Sequence, residues 1–443
     1  MKKNSIYEVD SNPPLTKCLP ISLQHVLTML IGNVAPALII SASVGLSEKE
    51  QIVLVQAAMI AAAVATLVQV YGISRFGSRL PMVMGINFSF VTACISIGKG
   101  YGMGSVFGAC IFGGIAIMIF GALIKKVRKF FPPLVTGITV TTIGMSLYPV
   151  AIGYMAGNPD LPTYGSLQNW GVALFTLIVV IGLSEFGKGY IKTISILIGL
   201  VLGYIVAAFM GMVDLSSLSN QKLFELPKIM PFGMKFDISA IMTMVVMYIV
   251  TSIEAIGDIS SLTMGGMDRE ATTEEISNGI MGNGLSAIIN AFFGGTPTAT
   301  FSQNVGIVTL TKVANKKVIK IAAFMVFIIG ILPKFGALMT SIPYPVLGGA
   351  TLSVFAIITV NGLRLLWEEE FTTRNMTIIG VSLAIGMGIT QVPETIASFP
   401  EGFQLFIGSS PVIMSTIVAF VMNLILPRKT LEQEAEERKA LDK

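Results

Sequence analysis

Long apolar runs recur along almost the whole chain, and they limit the folds open to it more than any other feature. A helix needs about 20 apolar residues to cross the roughly 30 Å hydrocarbon core of a bilayer. Of the 443 residues 53% are hydrophobic and only 12% are charged, whereas a soluble domain carries about 25% charged residues. The sequence therefore predicts a polytopic membrane protein and excludes a soluble fold.

The spacing of the apolar runs predicts an all-α protein with fourteen transmembrane segments. An even number places both termini on one side of the membrane, and Lys and Arg accumulate in cytoplasmic loops. With the termini in the cytoplasm, the outer loops hold only 6 of the 29 Lys and Arg residues. We therefore expect a multi-pass protein of the cell membrane with both termini cytoplasmic. The segments are predicted near residues 21–40, 50–72, 84–98, 103–124, 131–153, 170–186, 192–213, 237–258, 274–293, 302–313, 318–333, 343–363, 374–391 and 408–426.

Segments 3 and 10 are too short to cross a bilayer as helices, so both are predicted to be broken. They hold the same position in two halves of seven segments, and because seven is odd the halves form an inverted repeat. Short β-like stretches, expected at Asn87 to Phe90 and at Ala299 to Gln303, would lead into half-helices whose N-termini offer free N–H groups. Such a pair of interrupted segments predicts a substrate site near the membrane midplane.

Charged and titratable side chains inside the apolar runs are few. Glu254 and Asp258 lie four residues apart on one face of segment 8. A carboxylate at that depth costs about 2.5–3.5 kcal/mol on insertion scales, which favours a role in substrate or proton chemistry. Asp258 lies near the expected end of the segment and could equally end the helix there. His25, one turn inside the first segment, has an unperturbed pKa suited to proton transfer, but it could equally be a packing residue.

Metal, cofactor and nucleic-acid sites are not expected. Cys18, Cys94 and Cys110 form neither a disulfide framework nor a CxxC pair, and a single histidine excludes zinc motifs that need two. The sequence GLSEFGKG lacks the final Ser or Thr of a phosphate-binding loop and follows a membrane segment. No catalytic residues are predicted. A membrane-embedded acid hydrolase that uses Glu254 and Asp258 is an alternative, which product analysis would separate from a carrier.

The residues of segment 10 carry a resemblance to a known family. QNVGIVTLTK, from Gln303 to Lys312, resembles the signature of nucleobase-ascorbate transporters: an amide or acid, Asn, a spaced Gly, then Thr and a variable residue. Gln24-His25, the NFSF of Asn87 to Phe90 and SxEAxGD of Ser252 to Asp258 follow the family's order. The resemblance, closest to the xanthine and urate permeases, covers essentially the whole chain. It implies proton- or cation-coupled uptake of a nucleobase.

The resemblance also implies how the chain is divided. A core domain of segments 1–4 and 8–11 is expected to move against a gate domain of segments 5–7 and 12–14. A homodimer is the expected assembly, although the sequence itself does not fix the oligomeric state. The expected boundaries are 1–20 for a cytoplasmic tail, 21–130 and 237–336 for the core, 131–236 and 337–427 for the gate, and 428–443 for a second cytoplasmic tail.

Residue roles follow from the same positional match. Glu254 corresponds to the carboxylate that binds the base, and Gln303 to the residue that reads its other edge. An ionised carboxylate accepts two hydrogen bonds and an amide offers a donor and an acceptor, which suits the N–H and carbonyl groups of a xanthine. Phe88 corresponds to the stacking aromatic. The other expected site residues are Asn87, which would tune purine choice, Phe301 and Ser302, whose backbone would close the pocket, and Asn304 and His25.

Several alternatives remain open in the sequence. Proton coupling is expected at Glu254, Asp258 or His25, but sodium coupling is not excluded. Gln303 stands where uracil permeases have Glu, which favours xanthine or urate over uracil. Asn283 stands where many relatives have Asp, so an acidic role there is in doubt. A sulfate- or bicarbonate-type anion transporter of the same architecture is the alternative of another class, although an anion site would favour a cation where Glu254 stands.

Overall fold

A computed structural model describes residues 8–127, 132–408, 410–427 and 430–433. The first part of the chain contains α1 (Leu15–Val44), α2 (Glu48–Tyr71), α3 (Val91–Tyr101), α4 (Met103–Ala122), α5 (Ile124–Val127), α6 (Pro133–Ser146), α7 (Tyr148–Ala156), α8 (Leu167–Phe186), α9 (Tyr190–Thr193), α10 (Ser195–Phe209) and α11 (Ser216–Ser219). The second contains α12 (Ile238–Met267), α13 (Thr273–Phe292), α14 (Ser302–Thr311), α15 (Lys316–Gly330), α16 (Pro333–Thr340), α17 (Tyr344–Trp367), α18 (Thr373–Gln391), α19 (Glu401–Gly408) and α20 (Pro411–Ile425). Two strands, β1 (Met84–Ile86) and β2 (Thr298–Thr300), interrupt the helices.

The helices give the chain the character of a multi-pass membrane protein. Within the described residues, seven helices are long and apolar enough to cross a bilayer, and counting two bent helix pairs as spans raises the number to nine. One such pair, α15 and α16, bends by 78°. The two broken segments contain only the 11-residue α3 and the 10-residue α14. Fourteen spans therefore stay a prediction, because the other described helices are too short or too polar to cross a bilayer by themselves.

By its internal contacts the chain divides into two compact units, one of Met1–Leu123 with Pro149–Ser353 and one of Ile124–Tyr148 with Val354–Lys443. In the first unit, α4 packs against α12 and α13, and α2 packs against α15. Small residues allow close approach: a Cβ on Gly113 would meet the Tyr248 ring at 2.2 Å, and one on Gly284 would meet the Gly114 carbonyl at 2.4 Å. The core and gate boundaries predicted from the sequence are not tested by this division.

The second unit is built around α6, α18 and α20. Its buried cluster comprises Leu134, Val135, Ile138, Leu366, Ile378 and Ala419. A hydroxyl pair crosses this apolar contact, because Thr139 Oγ1 lies 2.8 Å from Thr416 Oγ1. Since buried hydroxyls need partners, this pair fixes the register of α6 against α20.

The strands lie slightly before the stretches predicted from the sequence. β1 ends at Ile86 because the Asn87 side chain accepts a hydrogen bond from Ser89 N at 2.8 Å and starts a 3₁₀ turn, Phe88–Phe90. β2 ends at Thr300, and Phe301 is already the N-cap of α14. The prediction of broken segments with short strands is thus confirmed, whereas their placement at Asn87 to Phe90 and beyond Thr300 is wrong by a few residues.

Helix α12 is longer than the sequence predicts, and this changes the setting of Asp258. The helix continues to Met267 and ends at Asp268, whose φ of 53° is left-handed. The added turns pack closely on α14, since a Cβ on Gly265 would meet Thr309 Oγ1 at 2.3 Å. Asp258 is therefore a helix-interior residue, and the alternative that it ends the helix is wrong.

Candidate functional site

The two broken segments meet where β1 and β2 pair antiparallel. Gly85 lies opposite Ala299, and the flanking pairs are Met84 with Thr300 and Ile86 with Thr298. The ladder is extended by Phe301 N, which donates to Val83 O at 3.1 Å. Because the strands are antiparallel, β1 ends opposite the start of β2, and the N-termini of the Phe88–Phe90 turn and of α14 lie at opposite ends of this three-residue ladder, about 7 Å apart. Their residues can therefore act on one site although about 210 positions separate them in sequence.

Glu254 of α12 is held by the first of these N-termini. Asn87 Nδ2 donates to Glu254 Oε2 at 3.0 Å, and Ser89 Oγ donates to Glu254 Oε1 at 3.1 Å. The Asn87 amide is itself fixed, because its Oδ1 accepts from Ser89 N. The carboxylate is half-buried and retains lone pairs that these two donors do not use. It can therefore accept further hydrogen bonds from a ligand with N–H groups.

Asp258, one turn further along α12, is bound by the second N-terminus. Thr300 Oγ1 donates to Asp258 Oδ2, and the Ser302 hydroxyl also hydrogen-bonds this carboxyl. These hydroxyls flank the N-cap of α14, where a negative charge is favoured by the helix dipole. Among the described residues neither Glu254 nor Asp258 forms an ion pair. Asp258 thus fastens β2 and α14 to α12.

His25 of α1 is wholly buried and bound to Asn304 of α14. Asn304 Nδ2 lies 3.0 Å from His25 Nδ1 and 3.0 Å from the His25 carbonyl oxygen. The carbonyl oxygen only accepts, so the amide must present its nitrogen to both groups. His25 Nδ1 is consequently an acceptor, and the neutral ring carries its proton on Nε2. This geometry fixes Asn304 and favours a neutral, positioning role for His25.

Exposed positions of α12 and α14, which we together call the accessible face, lie next to these polar groups in the chain. Gln303 and Ser302 are exposed on α14, and Gly257 is exposed on α12. A Cβ on Gly257 or on Gly306 would meet no atom within 4 Å. Because Gly257 follows Glu254, and Gly306 follows Gln303, by three positions, each glycine lies on the same helix face as its polar neighbour. The carboxylate and the amide therefore both border open space.

The two aromatic residues expected at the site are buried. Phe88 is 6% exposed and Phe301 5% exposed. The Phe301 ring lies against glycine backbone, because a Cβ on Gly85 would come within 2.5 Å of it and one on Gly32 within 2.7 Å. The ring of Phe301 thus wedges β1 and α1 together, and its backbone starts α14. Stacking of a ligand on Phe88 stays a prediction.

Comparison with known proteins agrees with this architecture. Residues 16–395 match the Xan_ur_permease model, described as a permease family. The chain belongs to this family of nucleobase-ascorbate transporters. It is 34% identical over 427 residues to the xanthine permease of Bacillus subtilis (strain 168), covering 95% of this chain and 97% of that one. It is also 34% identical over 415 residues to the uric acid permease PucK of the same organism, covering 92% and 95%.

Solved structures share the fold of this permease at much lower identity. The murine anion transporter Slc26a9 in its inward-facing state superposes with a TM-score of 0.64 over 94% of this chain and 69% of that one, at 11% identity. Likeness at this identity concerns the fold alone. The family assignment confirms the resemblance read from the segment 10 signature.

For this permease, the sequence-predicted residues fall into one connected arrangement. Glu254 with Asn87 and His25 with Asn304 are direct hydrogen-bonded pairs, and Asp258 is bound to Thr300, two residues before Ser302. The remaining predicted residues, Gln303, Phe88 and Phe301, adjoin these pairs in the chain. Their roles toward a ligand stay predictions. Sequence reasoning missed Ser89 and Thr300 as partners of the two carboxylates, although Ser89 lies inside the NFSF motif.

A second group missed from the sequence explains Asn283 of the permease. Gln69 of α2 donates through Nε2 to Asn283 Oδ1 at 2.6 Å and to Gly279 O at 2.7 Å, and its Oε1 accepts from Ser78 N at 2.9 Å. These bonds hold the turn before β1 against α13. Asn283 acts here as a neutral acceptor, a role that needs no acid. The polar Gln69 in the apolar run of segment 2 was the available signal.

Proposed function

We propose that this chain is a proton-coupled symporter for uptake of a purine nucleobase, xanthine or urate. The observation that carries the proposal is the setting of Glu254, a carboxylate held by Asn87 and Ser89 beside the accessible face that also bears Gln303. Relatives that cover nearly the whole chain are named xanthine permease and uric acid permease, which supports this substrate class. Uracil or another nucleobase is the alternative within the family.

The chemistry of the site suits a flat heterocycle with N–H and carbonyl groups. Glu254 accepts from adjacent N–H groups of the base, while the Gln303 amide pairs with a neighbouring donor and acceptor edge. Phe88 stacks on the ring, and the backbone at Phe301 and Ser302 closes the pocket. Asn87, already bound to the carboxylate, lies where it can distinguish substituents on the purine.

An anion transporter is the rival suggested by the fold. Two carboxylates, Glu254 and Asp258, line the accessible face, and their partners are hydroxyl and amide groups. A site for sulfate or bicarbonate requires donors and cations instead, because like charges repel in a medium of low dielectric constant. A hydrolase would have to release a changed product, whereas a carrier returns its substrate intact.

Contacts between distant loops support a topology with both termini in the cytoplasm of a cell-membrane protein. Residues 8–13 hydrogen-bond to residues 315–317, and Lys312 pairs with Asp268 at 3.1 Å. Every one of these loops is assigned to the inside by the distribution of Lys and Arg. The same topology requires an even number of spans, and we propose fourteen in a 7+7 inverted repeat. We further propose that its core and gate domains move against each other, in a homodimer.

Proton coupling is proposed to act through Glu254. The carboxylate has no cationic partner among the described residues, so its charge depends on hydrogen-bond donors alone. A protonated Glu254 still accepts hydrogen bonds from the base through its carbonyl oxygen, and its hydroxyl can donate to a carbonyl of the base, so the bound base favours the protonated form and links the two occupancies. Asp258, bonded to the α14 N-terminus, and His25, bonded through Nδ1, are already engaged in positioning.

Uptake of labelled xanthine into proteoliposomes with an imposed inward proton gradient tests the function. Unlabelled xanthine, urate, uracil, guanine and hypoxanthine serve as competitors, and the internal label is identified chemically at the end. We expect accumulation of unchanged xanthine, strong competition by xanthine or urate, weak competition by uracil, and collapse with a protonophore. Accumulation of sulfate or bicarbonate without any purine uptake would reject the proposal.

A further inference from the structure

The basic loop between α14 and α15 is bound to the protein's own chain. Its lysines are engaged as follows: Lys312 with Asp268, Lys316 with Asp10, Lys317 with Asn12 and the Pro13 carbonyl, and Lys320 with the Tyr71 ring at 3.9 Å. The side chain of Lys316 is only 18% exposed. A cluster that serves only as a topology signal would need none of these contacts. The loop therefore has a second, structural role.

Asn315 is the centre of this arrangement and bonds in two directions. Its Nδ2 donates to Glu8 O at 2.7 Å, to Ser11 O at 3.0 Å and to Ser11 Oγ at 3.0 Å. Its Oδ1 accepts from Lys317 N at 2.9 Å and Val318 N at 3.2 Å, so it caps the N-terminus of α15. One buried side chain thus joins the N-terminal segment of residues 8–13 to the start of α15.

Further contacts hold residues 8–13 against the start of α15. Lys316 N donates to Val9 O at 3.0 Å, and Lys316 Nζ pairs with Asp10 Oδ1 at 2.7 Å. Just beyond it, Cys18 of α1 packs against Val313 and Val318. We call residues 8–13 together with residues 312–317 the clasp.

The clasp lies directly after a short helix, α14. Helix α14 has ten residues and so is about 15 Å long. Four of the ten, Asn304, Val305, Ile307 and Val308, are buried. Its N-terminal end is fixed by the strand pair and by Asp258, and its C-terminal end by Lys312, which donates to the Gly265 carbonyl of α12. The orientation of its exposed face, with Gln303, depends on both ends.

We propose that the clasp is a positioning device, in which residues 8–13 hold the cytoplasmic end of α14 and thereby set the orientation of Gln303 and Asn304 in the site. The device goes beyond the transport function, because it concerns how an incomplete span is kept in place whatever the substrate. Loosening the contacts of residues 8–13 leaves the C-terminal end of α14 held only by Lys312 and by the packing of Thr309 and Val308 against α12. The site then loses its fixed geometry while the rest of the fold is retained.

The substitution Asn315→Asp separates the clasp from the helix cap. Aspartate keeps the oxygen that caps α15 and is an equally good N-cap. It removes the amide hydrogens bound to Glu8 and Ser11 and sets a second oxygen against those carbonyls. Since each lost hydrogen bond contributes about 1 kcal/mol, amide exchange in residues 8–13 should rise at least about tenfold. Asn158→Asp, in the loop before α8, is the matched control, because Asp keeps the acceptor bound by Asp160 N.

Hydrogen exchange of the full-length protein in nanodiscs measures both ends of the proposed link. The expected result for Asn315→Asp is faster exchange in residues 8–13 and also in α14, with a higher KM for xanthine uptake and a maintained rate at saturation. Lys317→Met, which removes two contacts to the segment and leaves Asn315 intact, should act in the same direction if Asn315→Asp folds poorly.

Two results would overturn the proposal. Exchange in residues 8–13 that equals that of Asn158→Asp would show that these contacts do not hold the segment. Faster exchange in residues 8–13 with unchanged exchange in α14 would show that the segment does not position the helix. Neither comparison needs a substrate, so a protein that fails to transport xanthine or urate would reject the proposed function and leave the clasp test valid.

Discussion

Asn304 Nδ2 lies 3.0 Å from both His25 Nδ1 and the His25 carbonyl oxygen, and this double contact fixes the proton of the imidazole on Nε2. A proton on His25 Nδ1 would point at the N–H of Asn304 Nδ2, so two hydrogen-bond donors would face each other. Rotating the Asn304 amide by half a turn would avoid that clash of donors. It would instead bring Asn304 Oδ1 against the His25 carbonyl oxygen, so two acceptors would face each other. The pair is stable only with a neutral ring, so His25 is expected to position α14 without carrying the coupled proton.

His25→Asn tests this role, since the Asn oxygen can replace Nδ1 as the acceptor and does not titrate near neutral pH. We expect it to keep proton-driven uptake with an unchanged pH profile, with KM raised at most several-fold. His25→Leu, which removes the Nδ1 acceptor of the buried Asn304 amide and leaves only the backbone carbonyl, should lose about 1–3 kcal/mol of stability. Uptake measured from pH 5 to 8 decides the matter, and a flattened pH profile in His25→Asn would assign the proton to His25.

Gly306→Leu tests whether the open space beside Gln303 receives the substrate. A Cβ at this position meets no atom within 4 Å, and leucine favours a helix over glycine by up to about 1 kcal/mol, so folding should not suffer. Xanthine binding should nevertheless weaken strongly. Gly182→Leu on α8, where a Cβ also meets nothing within 4 Å, is the control. Equal xanthine affinity in the two variants would place the site elsewhere.

Gln303→Ala should weaken base binding by about 1–3 kcal/mol, because a polar edge of the bound base loses its partner. This corresponds to a rise in Kd of about 5- to 150-fold. Equilibrium binding of labelled xanthine to purified protein gives the value directly. Gln168→Ala, at an exposed position in the first turn of α8, is the control for loss of an amide. An equal Kd in wild type and Gln303→Ala would show that Gln303 does not belong to the site.

Asn87→Ala should change selectivity, since this residue contacts Glu254 and borders the site. The smaller side chain should admit bulkier or differently oxidised purines, measured as a changed inhibition profile of xanthine uptake. Ser89→Ala is the comparison, because it removes the other donor to Glu254 and leaves the Asn87 side chain in place. The same inhibitor ranking in wild type and Asn87→Ala would show that Asn87 does not line the pocket.

The sequence predicted the broken spans because their length is a local property. Apolar runs near Asn87 and Gln303 are too short for a bilayer wherever they lie in the fold. The ends of the strands were harder to predict from the sequence, because β1 ends where the Asn87 side chain accepts a hydrogen bond from Ser89 N. The extent of α12 past Asp258 depends on its packing against Thr309, which is a tertiary contact.

The site was predicted in its residues but not in its pairs. Glu254, Asp258 and His25 stand out because polar groups in apolar runs are expensive. Their partners lie far away in sequence, with 167 positions between Asn87 and Glu254 and 279 between His25 and Asn304. Asn315 gave no signal at all, since an Asn in a basic loop is ordinary until residues 8–13 are seen to fold onto it.

Glu254→Gln tests the central claim that this carboxylate links substrate to proton. Glutamine keeps the shape and an oxygen for Asn87 and Ser89 but cannot titrate. One proton moving with a neutral base across about 100 mV carries about 2.3 kcal/mol, enough for a roughly fifty-fold accumulation. In proteoliposomes with an inward proton gradient, wild type should accumulate xanthine, while Glu254→Gln should show at most binding or exchange. A Glu254→Gln variant that concentrates xanthine as strongly as wild type would contradict the account.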